Sequence, residues 1–132
     1  SKEKIEVDDR GDVGLVEALL QFLKNIESTC HHALGSYYMD KSNKKWLQLN
    51  DFARKLRTKY MERIVKKENS QIWCCTKHLL SSWMALEEAG NRYYFSGQID
   101  KAIESYDDAG KIYGMILTLN QISESSQNES TT

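Results

Sequence analysis

The sequence predicts a single all-α domain, a bundle of about four antiparallel helices, and three observations carry that expectation. The 132-residue chain contains no proline, where average usage gives roughly six or seven, so nothing breaks long helices from within. Apolar residues recur at the helical period of about 3.6 over four long segments. The links between those segments are short and polar, and such links join antiparallel neighbours. A hydrophobic content of 40% suffices for one modest core.

Residues 1–12 and 123–132 are polar and read as mobile tails, which leaves residues 13–122 as the single helical domain. A first helix is expected from about Val13 to Tyr38, with Asp12 as its N-cap. Its stripe is Val16, Leu19, Leu20, Leu23, Ile26, Cys30, Ala33 and Tyr37, and the stretch DKSN ends it. The second helix is expected from about Asn43 to Lys67, with Leu49, Phe52, Ala53, Leu56, Tyr60 and Ile64 inward. The third is expected from about Ser70 to Phe95 on Ile72, Cys75, Leu79, Trp83, Leu86, Ala89 and Tyr93, and Ser96-Gly97 supplies the turn. The fourth is expected from Ile99 to about Ile122 on Ala102, Ile103, Tyr106, Ala109, Tyr113 and Ile116.

In the stretch GNRYYFSGQIDKAIESYDDAGKIYG, residues 90–114, small residues alternate with large aromatic ones across the turn. Gly90 and Ala102 leave room for two helices to approach, and Tyr93 and Tyr106 fill the groove between them. Gly90, Tyr93, Gly97, Ala102, Tyr106 and Ala109 fall on the 34-residue pattern of a tetratricopeptide repeat, so the hairpin from Trp83 to Ile116 resembles one such unit. It departs from the pattern at Leu86, Ala89 and Gly114, where Trp, Leu and Pro are preferred. One repeat length back, Leu56, Lys59 and Glu68 occupy the Gly, Tyr and Ala positions. A single unit completed by the first two helices is therefore expected. The microtubule-interacting and trafficking domain is similar over Gly97, Ala102 and Tyr106, but it has a further amphipathic helix where this chain becomes a Ser/Asn tail. The tetratricopeptide resemblance implies capture of a peptide or helix in a groove.

Chemistry has few candidates. Cys30, His31 and His32, with Cys74, Cys75 and His78, are the residues that could hold zinc, since Cys74 and His78 stand at i and i+4. Adjacent histidines point about 100° apart on a helix, and Cys30 and Cys75 lie on apolar stripes, where a free Cys behaves as a small hydrophobe. No metal site and no cofactor are expected. With no glycine-rich elbow or anion-binding loop, no enzymatic role is expected either. Three cysteines do not make a disulfide scaffold, so a reducing cytoplasm or nucleus is the expected setting. No apolar run of about 18 residues and no signal-peptide pattern is present, so a soluble protein with no membrane partner is expected.

Two surface features point to function. From Lys44 to Lys67 nine Lys or Arg stand against Asp51 and Glu62, and Lys44, Lys45, Lys55, Lys59, Arg63 and Lys66 share one arc of about 100°. Residues 87–108 reverse this, with six acids against Arg92 and Lys101, although the whole chain carries only −1. The third helix also has a second apolar side, Trp73, Leu80, Met84 and Phe95, covered either by central burial between helices two and four or by a partner. The expected function is a non-enzymatic protein-interaction domain. Its partner is a peptide or helix, an acidic one suiting the ridge, or a second copy of the chain; Lys44, Lys55, Lys59, Arg63, Lys66, Trp73, Met84 and Phe95 are the expected contacts. The alternative is a nucleic-acid-associated helical domain using the same ridge, disfavoured because no interleaved exposed aromatics accompany the charge.

Overall fold

A computed structural model of the chain describes residues 9–65 and 69–122, and among them the architecture is four α-helices with no strand. They are α1 (Val13–Met39), α2 (Lys45–Met61), α3 (Ser70–Phe95) and α4 (Ile99–Leu119), preceded by a short 3-10 turn, Asp9–Gly11. Each start and stop has a local cause. Asp12 caps α1 by accepting from the Leu15 N–H at 3.1 Å, and the Asn69 side chain accepts from the N–H groups of Gln71 and Ile72 to open α3. Gly97 ends α3 at φ +82°, with Gln98 N–H on the Tyr93 carbonyl and Gly97 N–H on that of Tyr94. The same pair of bonds closes α4 from Ile122 and Gln121, although Gln121 must adopt φ +57° to do it. What holds Gln121 there is Ile122, which is buried in the core.

Two antiparallel hairpins build the bundle. In the first, Phe22 of α1 meets Tyr60 of α2 edge-on at 5.0 Å, and Glu27 pairs with Arg57. In the second, Trp83 of α3 lies 5.0 Å from Tyr113 of α4, and Asn120 donates to Thr76. The hairpins meet through α1 and α3, where Lys24 binds Glu87 at 2.8 Å. The helix order across the bundle is therefore α2, α1, α3, α4. The central helix α3 lies between α1 and α4, not between α2 and α4 as its two apolar sides suggested. One core joins all four helices, with Leu20, Leu23, Met61, Ile64, Leu80 and Ile116 fully buried.

The structure corrects several expectations. The second helix stops at Met61 instead of Lys67, because the N–H groups of Ile64 and Val65 both turn back to the Met61 carbonyl. That tight turn sends both residues into the core, where a straight helix would point them about 100° apart. Residues 66–68, Lys66 among them, lie outside the described residues. Leu49 and Phe52 are exposed, since α2 turns Ala53, Arg57 and Met61 onto α1 instead. Cys75 and Ile103 are exposed as well, because the buried line of α3 runs through Thr76, Leu80, Trp83 and Gly90, and that of α4 through Ala102, Ser105, Ala109 and Ile116.

The close approach expected at Gly90 and Ala102 is present. A methyl group on Gly90 would stand 2.5 Å from the Tyr106 ring, and Ala102 is fully buried. Ala102→Leu is expected to overpack this contact and lower stability by about 1–3 kcal/mol in a denaturant melt. An unchanged midpoint would show that α3 and α4 have slack there.

Candidate functional site

The α2 surface departs from that of a water-adapted helix. Packing on α1 alone leaves its far side uncovered, and at 100° per residue Lys55, Gln48, Lys59, Phe52, Lys45, Leu56 and Leu49 follow one another through about 120°, with Arg63 just past the end of the helix. Phe52 is 60% exposed and Leu49 39%, so apolar surface sits among and beside a row of positive charge. Lys59 and Arg63 lie over the Tyr60 ring at 5.3 and 4.7 Å, which holds both cations at the edge of this face. Lys55 pairs with Asp51 at 2.8 Å, but both side chains are exposed and water screens the pair. Lys44 is exposed at the start of the helix. Arg57, a ninth of the counted positive charges, leaves the surface for Glu27.

The other expected contacts lie elsewhere. Met84 lines a groove of about 1010 Å³ between the C-terminal half of α1, the start of α2 and α3, together with His31, His32, Met39, Trp46 and Glu88. Trp73 is half-buried against the core, and Phe95 is 85% exposed at the far end of the same helix. Those two stand roughly 33 Å apart along α3 at 1.5 Å per residue. The seven of these eight residues that are described thus occupy separate places, with only those on or beside α2 grouped together.

The groove wall contains a chain of polar contacts that could be mistaken for a hydrolytic triad. His31 Nε2 lies 3.0 Å from Ser81 Oγ and 3.6 Å from Glu27 Oε1. One ring nitrogen serves both contacts, whereas a triad needs the acid on the opposite nitrogen to orient the base. Glu27 is also committed to Arg57, whose Nη1 donates to both carboxylate oxygens at 3.1 and 3.3 Å. The arrangement fixes α1 against α2 and α3. Burial, followed by the nearby Glu27 charge, pushes the Cys30 thiol up and keeps it unreactive, while Cys74 and Cys75 are exposed. Among the described residues no group of three or more His, Cys, Asp or Glu could hold a metal ion, and no helix is long and apolar enough to cross a membrane.

Sequence reasoning missed Lys24, Glu27 and Arg57, all buried. The signal was present: Glu27 falls between Leu23 and Cys30 on the α1 stripe, and Arg57 falls between Ala53 and Met61 on the buried line of α2. Opposite charges on two facing stripes can pair in a core. Lys24 goes further, placing its ammonium 3.9 Å from the Trp83 ring centre while it binds Glu87. No family model, curated protein or solved structure matches this chain.

Proposed function

We propose that this domain is a non-enzymatic, intracellular protein-interaction module that captures a helix or peptide of an acidic partner along α2. The observation that carries the reading is the exposed Phe52 and Leu49 among and beside Lys45, Lys55, Lys59 and Arg63. An apolar centre supplies affinity by leaving water, and the surrounding charges select an acidic partner and speed its approach. The α3–α4 hairpin supports the same class of function, since the Gly90 and Tyr106 contact is the packing a tetratricopeptide-like unit uses. Lysines on their own are an ordinary solvated face; lysines around an uncovered phenylalanine are not.

A nucleic-acid reading has one observation in its favour, because Phe52 among lysines is also a stacking surface. Salt separates the two. Titration with a synthetic amphipathic Glu/Leu helix is expected to show binding that survives moderate salt and falls about tenfold or more in Phe52→Ala, with melting unchanged. Lys55→Glu with Lys59→Glu is expected to slow association. Binding of a single-stranded oligonucleotide that collapses with salt, with none of the peptide, would replace this reading by the nucleic-acid one.

A further inference from the structure

We infer that the acidic, apolar face of α4 docks on the basic, apolar face of α2 in a second copy of this chain. The inference rests on the proposal that α2 is a docking face, and it names the occupant.

The start of α4 is built as the counterpart of α2. Ile103 is 52% exposed, Ile99 is exposed beside it, and Phe95 adds an exposed ring just before the Gly97 turn. Asp100, Glu104 and Asp107 are also exposed. At 100° per residue Ile99, Ile103, Asp107, Asp100 and Glu104 follow one another through about 140° of the helix surface. Lys101 falls outside this arc, with its ammonium turned toward the Tyr93 ring on α3, and Lys111, on the arc about two turns beyond Glu104, pairs with Asp108 at 3.3 Å. The result is an apolar edge bounded by three carboxylates. On α2 the same plan is drawn in the opposite sign, with Phe52 and Leu49 among Lys45, Lys55, Lys59 and Arg63.

Inside one chain the two faces do not meet. Helix α2 packs on α1 and α4 packs on α3, with α1 and α3 between them. The ion pairs of α2 run to Asp51 in its own second turn and to Glu27 of α1, and no described pair links the basic residues 44–63 to α3 or α4. Each face therefore keeps apolar surface and charge that a neighbouring copy can cover. Contact between copies buries Phe52 against the isoleucines and brings lysines to aspartates, so hydrophobic and electrostatic terms act in the same register. The contact joins unlike faces, so every copy carries both halves of it.

Sedimentation of the full chain over a concentration series tests this. Mass is expected to rise with concentration, most steeply at low salt. Lys45→Glu with Lys55→Glu and Lys59→Glu makes both faces acidic, and Glu104→Lys with Asp107→Lys makes both basic. All five positions are exposed, and circular dichroism checks that each variant stays folded. Each variant alone is expected to be monomeric, whereas an equal mixture is expected to associate. A native chain that stays monomeric, an acidic variant that still self-associates, or a mixture that does not associate overturns the inference. The α2 reading fails separately: a monomeric native chain that still binds the Glu/Leu helix through Phe52 keeps that reading and rejects only the second copy.

Discussion

Arg57→Leu is expected to destabilise the domain by about 3–5 kcal/mol, the cost of leaving a buried charge without its partner. Arg57 is 8% exposed and Glu27 4%, and Arg57 supplies the two shortest contacts to the Glu27 carboxylate. Without the guanidinium, Glu27 keeps, among the described residues, only His31, whose Nε2 is 3.6 Å away. Replacing both residues together, Glu27→Leu with Arg57→Leu, is expected to recover most of the loss, since two apolar side chains on facing helices have no charge to desolvate. Denaturant melts of the native chain and the two variants decide the matter. A single variant with unchanged stability would mean that Glu27 reaches water, and a double variant worse than the single would mean that the pair is shaped by packing instead of charge.

Trp83→Ala is expected to cost a similar amount, about 3–5 kcal/mol, as large aromatic truncations in cores do. Trp83 is 5% exposed and joins three helices: it packs on Tyr113 of α4, carries the Lys24 ammonium of α1 on its ring, and lies in the buried line of α3. Removing it leaves a cavity and strips one of the two interactions that hold Lys24 out of water. By contrast Phe95→Ala is expected to leave the melting midpoint in place, because that ring is 85% exposed. Equal losses from both would contradict the burial pattern of α3.

The contrast between these two aromatics marks what could be read from residues alone. Most helix ends were legible because their causes are local; the end of α2 at Met61 was not. Asp12 sits where a side-chain acceptor opens a helix, Gly97 takes the positive φ that closes α3, and the expected bounds Ser70 to Phe95 are the observed ones. The Gly90 and Ala102 approach was legible too, since only small residues allow two backbones to come together with a tyrosine between them.

Which apolar face is covered was decided only by the tertiary structure. The helical period of α2 offers two overlapping faces that share Ala53, one through Leu49, Phe52 and Leu56, the other through Arg57 and Met61. The sequence reading took the first, which holds no charge. The fold chose the second, because Glu27 on α1 compensates Arg57 and the tight turn after Met61 draws Ile64 and Val65 inward. A periodic pattern states that a helix has a side to bury. It does not state which neighbour will cover that side, and a charge can be buried only once a partner 30 residues away in the chain has been brought beside it.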